Sequence, residues 1–215
     1  MKAHRRSFPP HLPGPSAGLR IGVMGGSFDP PHTGHIHLID VARRRLGLDW
    51  VWVFPARGNP LKHTTTAFKD RLAAARRTLE GPRVRVSSLE ADLGLTYTID
   101  LVRVLKRLAP TAHFVWIMGG DNLGQFHRWR DWREIAARMP IAVVSRPAGE
   151  PDAGPTPRLS RFAQQFAANR IPAEDAHTLA DRPAPAWTYL PAPMDPASST
   201  ELRTRILLAT ATPVR

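Results

Sequence analysis

The chain has 215 residues, 42% of them apolar, enough to bury a sizeable core in one α/β-sized domain. It has no cysteine, which excludes a disulfide framework, a thiolate metal site and a thiol nucleophile. No apolar run approaches the roughly 18 residues that cross a bilayer, and the basic, proline-dotted residues 1–18 lack the apolar stretch of a secretory signal. The expectation is therefore a cytoplasmic protein with no membrane partner. The formal charge of +12 invites a nucleic-acid reading, but of 30 basic residues only Lys2, Lys62, Lys69 and Lys106 are lysines. The arginines are scattered over several predicted helices rather than gathered in one stripe. Small anionic substrates account for the charge as well as nucleic acid does, so no nucleic-acid partner is expected.

In chain order, residues 1–18 read as a disordered extension that contributes no core. The apolar run 19–24 ending in glycines reads as a buried strand. Ile36, Ile39, Ala42 and Leu46 recur at helical spacing, with Gly47 as the stop. A second strand is expected at 50–54, a helix at 68–79 and an alternating strand at 83–87. Ile99, Val102, Leu105 and Leu108 mark a third helix, and 114–118 is a buried strand. An aromatic loop, a helix near 131–138 and a strand at 141–145 follow. From Pro147 to Pro185 proline, alanine and charge dominate, which reads as a surface excursion with one helix near 159–168. A last strand at 187–190 and a closing helix at 198–209 complete a domain spanning 19–209, before a short tail at 210–215. Ser198 and Glu201 have the spacing of a capping box for that helix. Strands alternating with helices predict a parallel central sheet, hence a Rossmann-like three-layer α/β fold.

The strongest chemical signal is GGSFDPPHTGH at 25–35, between the first strand and the first helix. In a parallel sheet this is the ligand-binding edge. Gly25 and Gly26 allow backbone to approach a phosphate, and the helix start offers amides and a positive dipole end. His32 and His35, three apart, project from one side of the first turn, with Gly34 clearing space between them. A metal half-site would need further ligands, and no cysteine or acidic cluster supplies them. Neither the dinucleotide fingerprint G-x-G-x-x-G nor the P-loop ending G-K-[ST] is present.

With these residues the chain resembles the HxGH nucleotidyltransferase superfamily, and within it the bacterial nicotinate-nucleotide adenylyltransferases. The resemblance spans Arg20 to Ile206 and rests on GGSFDPPHTGH, GNPLKH at 58–63, GGDNLGQFHRW at 119–129 and SSTELR at 198–203, with LTYTID at 95–100 as a further likeness. It implies ATP and nicotinic acid mononucleotide as substrates, with Mg2+ accompanying ATP, and leaves homo-oligomerisation open. It also implies an ATP site of Gly25, Gly26, Ser27, Phe28, His32, His35, Gly119, Asp121, Ser199, Thr200 and Arg203. Lys62, His63, Thr98, Trp129 and Arg130 would receive the acceptor, Trp129 stacking on the pyridine ring. His32, His35, Lys62 and Arg203 would serve the chemistry.

Each of these residues also has a plainer reading. Serine and threonine at a helix start commonly do no more than cap it. Lys62 and His63 could be solvated loop charges, and an interior tryptophan is often core. The segment NPLKH departs from the two prolines that the family often shows there, which leaves the roles of Lys62 and His63 open. Two other functions remain: another member of the superfamily, such as a phosphopantetheine adenylyltransferase or a cytidylyltransferase, and a basic nucleic-acid-binding protein.

Overall fold

The structure is a computed structural model that describes residues 12–58, 64–145 and 160–191. Four apolar runs form the strands β1 (Arg20–Gly26), β2 (Trp50–Pro55), β4 (His113–Gly119) and β5 (Ile141–Val144), almost every residue of which is withdrawn from solvent. Such runs suit strands covered on both faces. With β3 (Val84–Val86), β6 (Arg170–Ile171) and β7 (Trp187–Leu190) they make one seven-stranded sheet of order β3-β2-β1-β4-β5-β7-β6. Every ladder in it is parallel. This is the α/β Rossmann-like architecture that the alternating pattern predicts.

The helices are α1 (Thr33–Arg45), α2 (Phe68–Leu79), α3 (Leu89–Asp92), α4 (Thr98–Leu108), α5 (Gly120–Leu123), α6 (Trp132–Arg138) and α7 (Arg161–Gln165). Alternate strand residues feed two cores. One packs Val23, Phe114, Trp116 and Met118 against α4, α6 and α7. The other packs Val53, Val115 and Ile117 against α1, α2 and the 3-10 segment Ala173–Asp181. Helix α4 shows why the pattern was readable: Ile99, Val102 and Leu105 fall on one stripe and are fully buried. In α1 the buried face runs through Leu38, Ile39 and Ala42, whereas Ile36, expected on it, stays 43% exposed. The last turn of α1 carries Arg43, Arg44 and Arg45, which complement its negative dipole end, and Gly47 leaves it at φ 61°.

Two expectations need correction. Residues 160–185 are not a surface excursion: Phe162, Ile171, Ala176, Leu179 and Ala180 are buried, and Ser160 caps α7 by accepting from Ala163 N–H. Small alanines at 3-10 spacing pack here where a helical stripe of large residues would otherwise be needed. Nor is the whole of 1–18 free of the domain. Leu12 packs against the core, and Gly18 N–H donates to Thr111 O at 3.3 Å. The closing helix expected at 198–209, with its capping box, lies outside the described residues.

Parallel strands bring all their C-terminal ends to one edge. Chain order reverses between β1, which leads on to β2, and β4 on its other side. That reversal opens a crevice where α/β proteins hold ligands. The segment after β1 and the segment after β4 face each other across it.

Candidate active site

The glycine pair ends β1 under steric pressure from its neighbours. An ideal Cβ on Gly25 would lie 2.9 Å from Trp116 Cη2, and one on Gly26 would lie 3.2 Å from the Phe28 ring. Phe28 itself adopts φ 47° with its ring buried. A left-handed conformation in a bulky L-residue costs about 1–2 kcal/mol, so surrounding contacts must hold it. The ring lies 4.9 Å from that of His35.

The histidines start α1 by capping it for each other. His32 is the N-cap, and its Nδ1 accepts from Gly34 N–H at 3.1 Å. His35 Nδ1 accepts from His32 N–H at 3.2 Å. The pair forms a capping box built from two imidazoles in place of the usual hydroxyl and carboxylate. Their ring centroids are 3.9 Å apart. Because each Nδ1 accepts, neither can carry a hydrogen, so in the neutral rings the hydrogen sits on Nε2. The first turn thus places two Nε2–H groups beside the positive end of a 13-residue helix.

Ser27 brings a buried hydroxyl with no hydrogen-bond partner among the described residues. An unmade buried bond is costly, and a ligand oxygen would satisfy it. Asp29 is 5% exposed and accepts from Thr65 N–H at 2.8 Å and Thr65 Oγ1 at 3.2 Å. Burial acts to raise its pKa. Hydrogen bonds from Thr66 and Thr65 together outweigh that and hold the carboxyl below its ordinary value. Arg71, on α2, is only 2% exposed and reaches four carbonyls around the same loops.

Across the crevice, an ideal Cβ on Gly119 would lie 2.5 Å from Asp121 Oδ1, so only glycine leaves that carboxylate where it is. Asn122 Nδ2 donates to the other carboxylate oxygen at 3.3 Å. Trp129 is half-buried and stands edge-on to Phe126 at 5.2 Å and to Trp116 at 6.0 Å. Trp116 therefore bridges Gly25 and Trp129 under the crevice. The Arg130 guanidinium sits 4.6 Å from the Tyr97 ring centre. Tyr97 is the N-cap of α4 and makes no side-chain cap, so that contact brings Arg130 to the start of α4, next to Thr98 in the chain.

The structure thus gathers Gly25, Gly26, Ser27, Phe28, His32 and His35 after β1, and Gly119, Asp121, Trp129, Arg130 and Thr98 on the other side of the switch point. Lys62, His63, Ser199, Thr200 and Arg203 lie outside the described residues. Sequence reasoning missed Trp116, Asp29 and Arg71. A signal for Arg71 was present: Arg71, Ala75 and Leu79 fall at i, i+4 and i+8 on the buried face of α2. Among the described residues no group of three or more His, Cys, Asp or Glu side chains could hold a metal ion. No helix among them is long and apolar enough to cross a membrane.

A parallel sheet with a histidine-capped, amide-rich helix start and an aromatic wall at its switch point defines a nucleotide-binding α/β protein. The chain belongs to the cytidylyltransferase-like family, which matches residues 23–205, and within it to the nicotinate-nucleotide adenylyltransferases. It is 50% identical over 189 residues to a "Probable nicotinate-nucleotide adenylyltransferase" of Methylorubrum extorquens, covering 87% of this chain and 100% of that one. It is 45% identical to the protein of the same name from a Ruegeria species, covering 87% and 97%. In fold it is similar to Plasmodium falciparum nicotinic acid mononucleotide adenylyltransferase complexed with NaAD. The TM-score is 0.63 at 18% identity, over 86% of this chain and 83% of that one.

Proposed function

We propose that the protein transfers AMP from ATP to nicotinic acid mononucleotide, releasing pyrophosphate and nicotinic acid adenine dinucleotide. The observation that carries this reading is the pairing in one crevice of a phosphate-type cradle, capped by His32 and His35, with the half-buried Trp129, which the buried Trp116 supports from below. The names of the full-length relatives supply the acceptor.

The reaction needs little from the protein except placement. An acceptor phosphate is largely dianionic at neutral pH (second pKa roughly 6), so no side chain has to deprotonate it. One of its oxygens attacks the α-phosphorus in line, the bond from that phosphorus to the α–β bridging oxygen breaks, and pyrophosphate leaves with the electron pair. The Nε2–H groups of His32 and His35 donate to triphosphate oxygens as charge shifts toward the leaving group. Ser27 Oγ, the amides beside Gly25 and Gly26, and Gly119 with Asp121 complete the ATP side, Asp121 accepting from ribose hydroxyls. By the family resemblance, Lys62, Ser199, Thr200 and Arg203 would add further phosphate contacts, and Lys62 and His63 would receive the acceptor. Magnesium is read as travelling with ATP. Among the described residues no cluster of three or more His, Cys, Asp or Glu side chains is present to hold a resident ion. These substrates set the work in the cytoplasm.

On the acceptor side, the pyridine ring stacks on Trp129 while backbone amides near Thr98 and Arg130 face its substituent. A carboxylate accepts from such donors at both oxygens, whereas a carboxamide turns an NH₂ against one of them. A buried donor left unpaired costs ~1–3 kcal/mol, and charge-assisted bonds add to the difference. A two-decade preference needs ~3 kcal/mol. Steady-state kinetics with labelled ATP should therefore give kcat/KM at least ~100-fold higher for nicotinic acid mononucleotide than for nicotinamide mononucleotide, and no product with phosphopantetheine. Efficiencies within tenfold for the two pyridine nucleotides, or turnover of phosphopantetheine, would refute the assignment.

A further inference from the structure

We infer that Arg71 is a positioning residue that sets the phosphate cradle for the triphosphate of ATP, acting through the loops it ties together. The inference rests on the adenylyl-transfer reading and extends it to a side chain outside the crevice. Arg71 Nη1 donates to Ser27 O at 2.5 Å and to Ala56 O at 2.9 Å. Its Nη2 donates to Arg57 O at 3.1 Å, and its Nε to Thr66 O at 3.1 Å. Three separate pieces of chain meet on one planar group: the segment after β1, the segment after β2, and the approach to α2. A lysine ammonium is a point donor on a flexible stem and cannot reproduce that fan.

Two further observations point the same way. Arg71 is 2% exposed, so the fan is held inside the protein rather than sampled by a mobile surface chain. Asp29, which belongs to the same motif as Ser27, accepts from Thr65 beside the carbonyl that Arg71 Nε holds, and its charge works on Arg71 against the effect of burial. The segment after β1 is thus fastened at Ser27 by Arg71 and at Asp29 by Thr65, on either side of Phe28. In a trans peptide the C=O and the following N–H point in opposite directions. Holding Ser27 O toward α2 therefore turns Phe28 N–H away from it and stabilises the left-handed conformation of Phe28, whose ring packs on His35. The path from Arg71 to the triphosphate runs Ser27, Phe28, His35. No equivalent contact links Arg71 to Trp129, Thr98 or Arg130 among the described residues.

The test compares the full-length protein with Arg71→Lys and Arg71→Met by thermal unfolding, steady-state kinetics in both substrates, and calorimetric ATP binding. The expected result is a cooperative transition in the variants, kcat lowered at least ~10-fold and the ATP KM raised at least ~5-fold, with the acceptor KM within twofold, since misplacing a cradle costs rate without touching the other subsite. Arg71→Lys should fall between Arg71→Met and the parent. Parent-like ATP kinetics in a folded variant, a parallel rise in both KM values, or loss of the folded state in both variants would overturn the inference. If the parent binds ATP but fails to use the pyridine acceptor, the acceptor reading falls alone. ATP binding then still decides for Arg71, with a fivefold weakening supporting it and equal affinity overturning it.

Discussion

His32 and His35 carry two duties that can be separated. As caps they stabilise the start of α1; in the proposed reaction their Nε2–H groups also donate to phosphate. His35→Ala removes both, and should lower kcat by ~100-fold or more, as removal of one preorganised donor does. Loss of a cap should cost ~1 kcal/mol, or about 2–4 °C in Tm for a chain of this size. His35→Gln tests the separation, because glutamine at the third helical position restores a capping box without an imidazole. It should recover the Tm and remain slow in a steady-state assay. A folded His35→Ala protein within threefold of the parent rate would remove His35 from the chemistry.

At this scale the site was only partly legible. The eleven residues 25–35 were readable because glycines and paired histidines at a strand–helix junction have few other uses. Arg71 was harder to read: its spacing with Ala75 and Leu79 put it on the buried face of α2, but a charged residue on a predicted helix defaults to the solvated face. Only tertiary contact shows it capturing four carbonyls. Trp116 was read simply as part of an apolar strand, and its place between Gly25 and Trp129 depends on strand order.

At the scale of elements, apolar periodicity was a good guide wherever large side chains mark a face. The prediction for α2, 68–79, coincides with the helix, and strands β1, β2, β4 and β5 fall within two residues of their expected ends. It failed for Ala173–Asp181 and the two-residue β6, where burial is achieved with alanines and short segments. The single turn α3, missed for the same reason, holds Glu90, which burial pushes up to about 7. A carboxyl raised in the folded state contributes stability that is complete below its ordinary pKa near 4.5 and is lost as pH rises through about 7. Glu90→Gln mimics the protonated form and should be insensitive to that change. Relative to the parent, it should gain stability between pH 5 and pH 8, by on the order of 3 kcal/mol at the upper end. Urea unfolding of both proteins at the two pH values checks this. A constant difference would mean that Glu90 does not titrate in that window.

For the whole molecule, the parallel sheet places two kinds of chemistry on one edge, and the switch between β1 and β4 sets the distance between them. The net charge of +12 belongs to this scale too, as an overall positive charge that favours the approach of anionic molecules. Strand–helix alternation made the architecture legible from sequence because each buried strand is a continuous apolar run. The order of strands in the sheet was beyond that pattern, since it depends on which edges pair. The central claim is tested most directly by incubating the purified protein with ATP, magnesium and nicotinic acid mononucleotide and quantifying products. The account predicts pyrophosphate and nicotinic acid adenine dinucleotide in equal amounts, with no ADP. ADP with inorganic phosphate, or ATP left intact by a folded protein, would contradict it.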